Sequence, residues 1–223
     1  HVCRVKLSKK SLYLTIRNVG YMCRLGFSSF LCETAIATMM FVGNYVFIRY
    51  LGEDGVAAYS IACYFFPIVF MVYNAIAQSA QPILSYNYGA KCTARVRETF
   101  RLALTTAILC GAGVFLLTWI FSHQIVGMFL DSSYPAYNIA VKGLPLFASG
   151  FVFFGINIVS IGYFQSLERD CPAMLRGFAL ILLCFWILPI IWESWGIWLA
   201  VPMSELLTFL FVLVIYWLEN RRN

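Results

Sequence analysis

The sequence predicts an all-α integral membrane protein, a bundle of six transmembrane helices. Three observations carry this. Of 223 residues, 61% are apolar and only 12% are charged, where soluble domains carry about 25% charged residues. Six apolar runs approach the roughly 20 residues that a helix needs to cross a hydrocarbon core. The basic residues fall almost wholly into alternate gaps between those runs. A mean hydropathy of +0.80 excludes a water-soluble globule and an intrinsically disordered chain, and the length excludes a disulfide-stapled mini-domain. The chain starts at His1 with no secretory signal before the first apolar run, and it reads as a piece of something longer.

The first span is expected over 25–48 and contains one charge, Glu33. The second, 56–84, has none, nor do the third, 102–121, and the fourth, 143–164. The fifth, 177–192, is short and extends back toward Met174, with Arg176 snorkelling to the interface. The sixth, 195–217, contains Glu205. Spanning β-strands are excluded, because the runs are twice too long and show no strict alternation.

Charge sets the orientation. Arg4, Lys6, Lys9, Lys10, Arg17 and Arg24 precede the first span, and Lys91, Arg95, Arg97 and Arg101 separate the second from the third. Arg169 and Arg176 separate the fourth from the fifth, and Arg221 and Arg222 follow the sixth. Only Arg49 and Lys142 fall on the other side. By the positive-inside rule both ends are cytoplasmic. The expected organisation is a basic cytoplasmic linker or surface helix over 1–24, a transmembrane lobe over 25–218 and a cytoplasmic tail over 219–223. The net charge of +6 then reports topology and not nucleic-acid binding, since no basic patch is interleaved with stacking aromatics. Of eight cysteines, Cys3, Cys23, Cys92 and Cys171 fall in cytoplasmic segments, and Cys32, Cys63, Cys110 and Cys184 fall in spans. With no CxxC pair and none in an external loop, they read as reduced apolar residues.

The groups the bilayer penalises point to function. At 1.5 Å per residue, Glu33 lies about 12 Å from the cytoplasmic edge and Glu205 about 15 Å from the outer edge, with no Lys or Arg at that depth. A low dielectric disfavours the charged form of a carboxyl, so such a group can carry a proton, or ligate Na⁺ with neutral oxygens. The alternative for each is a structural hydrogen bond between helices. For Glu205 that bond would satisfy backbone groups freed by Pro202. On the second span Asn74, Gln78, Gln81 and Ser85 are spaced 4, 3 and 4 and share one helical face. That face should look into the bundle or a water-filled cavity, either as a substrate surface or as interhelical glue. On the fourth span Asn157, Gln165, Gly150 and Gly155 mark a similar inward side, and Asn44 is a lone polar residue on the first. Pro67, Pro82, Pro145, Pro189 and Pro202 each remove a backbone hydrogen bond and favour bends. Trp192, Trp195, Trp198 and Trp217 fit an interfacial belt. Tyr64, Phe65, Tyr73 and Phe154 lie deeper and could line a pocket for flat or cationic molecules. No HExxH, Walker or GxSxG sequence occurs, which argues against an enzyme and against ATP use by this chain.

The segment 75–90 contains Gln81-Pro82 followed by Tyr86-Asn87-Tyr88-Gly89-Ala90. It resembles the QP…YNYGA signature of multidrug and toxic compound extrusion (MATE) transporters, most of all their DinF/MepA-like bacterial branch. Lys91 to Arg101 resembles that family's basic cytoplasmic loop. Tyr163-Phe164-Gln165-Ser166 and the segment 196–202 are similar to its second half. The resemblance runs from about Gly26 to the end. It implies the C-terminal six-helix lobe of a twelve-helix fold, with the N-terminal lobe missing, in a cell (inner) membrane. It implies cation-coupled efflux of amphiphilic or cationic small molecules, with Na⁺ or H⁺ as coupling ion and no other cofactor. Glu33 matches the family's carboxylate on span seven, about one turn early, and Asn157 stands on span ten, where relatives carry an acid. Glu33, Glu205 and Asn157 are therefore the cation-coupling candidates. Asn44, Tyr73, Asn74, Gln78, Gln81 and Gln165 are the substrate-cavity candidates. The alternatives are a lipid-linked oligosaccharide flippase of the same superfamily, which would need basic residues in its cavity, and a non-transporting membrane scaffold.

Overall fold

The computed structural model of the chain describes residues 15–167 and 173–222. Arg4, Lys6, Lys9, Lys10, Arg169, Cys3 and Cys171 lie outside that set, as do the side chains of Arg24, Cys32, Arg176, Arg221 and Arg222. The described residues form helices α1 (Ile16–Gly89), α2 (Thr93–Ile120), α3 (Ser122–Gly127), α4 (Pro135–Ser149), α5 (Phe151–Ser166) and α6 (Ala173–Arg222).

Six crossings emerge from these helices, as the sequence predicts, and four of them are joined in pairs within α1 and α6. The apolar part of α1, Glu33–Gly89, has 57 residues. At 1.5 Å per residue that is about 85 Å, far more than one crossing of about 30 Å. Gly52 breaks it, with φ 68° and ψ −159°, a region open essentially to glycine alone. The chain folds back there. The Tyr59 hydroxyl donates to the Met39 carbonyl at 3.2 Å, and a Cβ on Gly55 would meet the Phe47 carbonyl at 3.2 Å. The first and second spans are thus one helical hairpin.

The fifth and sixth spans repeat this design inside α6. Its helical dihedrals fail at Trp192 and Glu193, the latter at φ 46°, and a Cβ on Gly196 would meet the Pro189 nitrogen at 3.0 Å. The fourth span is longer than expected. It comprises α4 and α5, together Pro135–Ser166, jointed at Gly150. A Cβ there would sit 2.9 Å from Pro202 Cα, so α6 crosses where the joint lacks a side chain. None of Pro67, Pro82, Pro145, Pro189 and Pro202 interrupts helical dihedrals. The breaks fall at Gly52 and at Trp192–Glu193, where the chain must reverse.

The core is aromatic and is seated on glycines, as expected where helices must approach without a hydrophobic driving force. Phe47 stacks on Tyr59 with centroids 4.3 Å apart and meets Trp198 edge-on at 4.9 Å. Trp198 therefore does not belong to an interfacial belt. It is 4% exposed, because Gly143 on α4 leaves the space its indole fills. Trp192, Trp195 and Trp217 are exposed, in keeping with the belt. Tyr73 is fully buried between Gly111 on α2 and Gly155 on α5, and its hydroxyl donates to the Phe151 carbonyl at 2.8 Å.

Candidate functional site

Two polar constellations involve α5. The first opens between both crossings of α1 and α5. A cavity of about 160 Å³ is lined by Glu33 from the first crossing and by Asn74, Gln78 and Gln81 from the second. Gln165 closes it from α5, and Phe70, Ile158 and Ile161 supply apolar wall. Helical spacing puts Phe70, Asn74, Gln78 and Gln81 on one face. Gly162 is what lets α5 approach, since a Cβ there would lie 3.1 Å from the Ala77 Cβ. Gln81 Nε2 donates to Gln165 Oε1 at 3.3 Å, and one turn on the Ser85 hydroxyl donates to the Ser166 carbonyl at 3.2 Å. Among the described residues no Lys or Arg pairs with Glu33. A carboxylate facing amides, with no protein cation beside it, is a donor set for a proton or a hard monovalent cation.

The second constellation joins α5 to α6. Asn157 is 2% exposed. Its Nδ2 donates to Glu205 Oε2 at 2.7 Å and to the Glu205 carbonyl at 3.0 Å. The Glu205 carboxylate thus meets a side chain of a neighbouring helix, and not backbone released by Pro202. Asn157 Oδ1 is buried without a hydrogen-bond partner.

The structure brings together Glu33, Asn74, Gln78, Gln81 and Gln165 in one place and Glu205 and Asn157 in another. It does not add Asn44 or Tyr73 to either. Asn44 is exposed and donates to the Met40 carbonyl of its own helix, and Tyr73 is sealed in the core. Phe154 is core as well, 4.8 Å from Phe66 by centroids, whereas Tyr64 is exposed and stacks on Phe129. Within the signature, Asn87 donates to the Ile83 carbonyl, and the backbone N–H of Cys92 returns to the Asn87 carbonyl. The segment therefore ends α1 in a tight turn before α2. Sequence reasoning missed the pairing of Asn157 with Glu205, since residues 48 apart leave no local signal of contact.

Comparison with known proteins turns this arrangement into a family. The MatE family model matches residues 29–191, which takes in both sides of the Glu33 cavity. The chain belongs to the MatE family. Members are transporters, which agrees with a sequence lacking catalytic motifs, and the chain is multi-pass. The probable multidrug resistance protein NorM of Pseudomonas aeruginosa is 26% identical over 182 residues, covering 78% of this chain and 34% of that protein. The protein of the same name from Synechocystis is 26% identical over 152 residues, covering 64% of this chain and 32% of its own length. Among solved structures, a MOP superfamily transporter from Pyrococcus furiosus superposes with a TM-score of 0.82 at 16% identity, over 94% of this chain and 48% of that one. An outward-facing MATE family transporter gives a TM-score of 0.78 at 16% identity, over 94% of this chain and 49% of its own. The MatE chain thus spans about a third of these curated relatives and about half of the solved transporters, and the structural likeness is one of fold.

Proposed function

We propose that this chain is the C-terminal six-helix lobe of a secondary active multidrug transporter. The complete protein exports amphiphilic or cationic small molecules across the cell membrane in exchange for Na⁺ or H⁺. The observation that carries this reading is the cavity that gathers Glu33 with Asn74, Gln78, Gln81 and Gln165. Glu33 holds the coupling ion. The amides and the apolar wall of Phe70, Ile158 and Ile161 meet the substrate, and the Asn157–Glu205 contact ties α6 to the helix that forms the cavity's far side. An N-terminal six-helix lobe is the required partner, and alternation between inward- and outward-facing states delivers the exchange. The names of the NorM relatives support the drug-efflux part of the reading. Among the described residues no basic side chain lines the cavity, which disfavours a phosphate-bearing lipid as cargo.

The test is efflux of ethidium from cells expressing the full-length protein. Efflux should stop when the ion gradient is dissipated and should not follow ATP depletion at a maintained gradient. Efflux indifferent to the gradient would exclude this mechanism. The distribution of Lys and Arg supports an orientation with both ends in the cytoplasm, and labelling checks it. A cysteine placed at Asp131, which is exposed between α3 and α4, should react with an impermeant maleimide from outside. Cys92, exposed between α1 and α2, should react only after permeabilisation. Asp131 sits in a local turn, where the Ser133 N–H donates to Oδ1 at 2.9 Å and holds the carboxyl below its ordinary range.

A further inference from the structure

We propose that the groove between α2 and α6, floored by α5, is a binding site for an anionic phospholipid, with its phosphate at Arg97 and Arg101 and an acyl chain along the apolar walls. The groove is separate from the Glu33 cavity and encloses about 390 Å³, within the range of about 300–1,000 Å³ typical of ligand sites. It exists because α2 and α6 pack on α5 rather than on one another. On α2, Arg97, Phe100, Arg101 and Leu104 follow i, i+3, i+4, i+7 spacing and share one face. Ile156 on α5 and Phe209 and Val212 on α6 complete an apolar interior.

The charge is placed at one end of the groove only. Arg97 and Arg101 lie in the first turns of α2, just past its start at Thr93, and both are exposed. Among the described residues neither has an ion-pair partner. Two guanidinium groups above an apolar slot complement a headgroup phosphate above a hydrocarbon chain. Arginine is suited to this, because its planar fork binds phosphate oxygens in pairs. The groove lies at the bundle end rich in Lys and Arg, which faces the leaflet where anionic lipids attract basic residues. A free phosphate would satisfy the arginines but leave the apolar walls open, and a neutral lipid would do the reverse.

The experiment compares binding of short-chain phosphatidylglycerol, phosphatidylcholine and inorganic phosphate to the full-length protein in neutral detergent, read by native mass spectrometry and thermal shift. Phosphatidylglycerol should be retained in preference to phosphatidylcholine, and inorganic phosphate should have no effect. The double substitution R97Q/R101Q should weaken phosphatidylglycerol binding roughly 30-fold, from the usual contribution of two basic side chains near an anionic headgroup. R95Q, a basic neighbour outside the lining, should not. V212F fills the slot with both arginines intact and should also reduce binding. Equal retention of the two lipids, binding of phosphate alone, equal effects of R95Q and R97Q/R101Q, or full binding by V212F would each overturn the proposal.

Discussion

Replacing Glu33 by Gln in the full-length protein should abolish ion-coupled ethidium efflux while leaving expression and membrane insertion intact. Gln keeps the shape of the side chain but cannot ionise, and it replaces one acceptor oxygen with an NH2 donor. The cavity holds Asn74, Gln78, Gln81 and Gln165 around that carboxyl, and none of them can ionise. No other lining group can therefore take over the ion. Coupling free energies of about 1–3 kcal/mol correspond to roughly 5- to 150-fold changes in affinity, and that ion-dependent factor is what the substitution should remove. Glu33→Asp keeps the charge but withdraws it by one methylene, and it should retain part of the ion dependence. Measured as initial efflux rates with and without an imposed gradient, an unchanged rate and unchanged ion dependence in Glu33→Gln would end the assignment of Glu33 as the coupling residue.

Gly111→Leu should unfold the lobe or prevent its accumulation. A Cβ at position 111 would lie 2.8 Å from Tyr73 Oη, 2.9 Å from Val152 Cα and 3.1 Å from Val152 N. Two of these three atoms are backbone, so relief requires shifting α5 and not just turning a side chain. Overpacking a close-packed site costs about 1–3 kcal/mol, the range expected already for Gly111→Ala. The larger side chain adds the loss of the Tyr73–Phe151 hydrogen bond, about 1–3 kcal/mol if the buried carbonyl is left unpaired. Gly113 is the internal control. It lies on the same helix with nothing within 4 Å of its would-be Cβ, and Gly113→Ala should not lower the melting temperature in detergent. Equal melting temperatures for Gly111→Ala and Gly113→Ala would refute the packing argument.

The fold class was legible because lipid imposes coarse, strong rules. Apolar run length and the placement of Lys and Arg predict six crossings and their connectivity. The polar cavity was half legible: the 4, 3, 4 spacing from Asn74 to Ser85 marked a face, and the rarity of a mid-span acid marked Glu33. Their meeting was not legible, because it depends on how α5 approaches at Gly162. Trp198 shows the same limit. As a tryptophan near a span end it reads as interfacial, yet Gly143, more than fifty residues away in sequence, makes room for it in the core. Proline, read as a marker of bends, proved a weaker sign than the need for reversal. The positions that break helicity are Gly52 and Trp192–Glu193, and of these only Gly52 has a residue type that announces it.

The two hairpins have a consequence for what the protein shows to proteins outside it. At the end of the bundle where Gly52 and Glu193 reverse the chain, the reversals take one or two residues and leave no connecting loop. Among the described residues, only the stretch between α3 and α4, around Asp131 to Tyr134, offers several exposed residues outside a helix there. Proteases need several residues of accessible, deformable chain. Among the described residues that end of the lobe therefore offers a protease one target, the segment that includes Asp131.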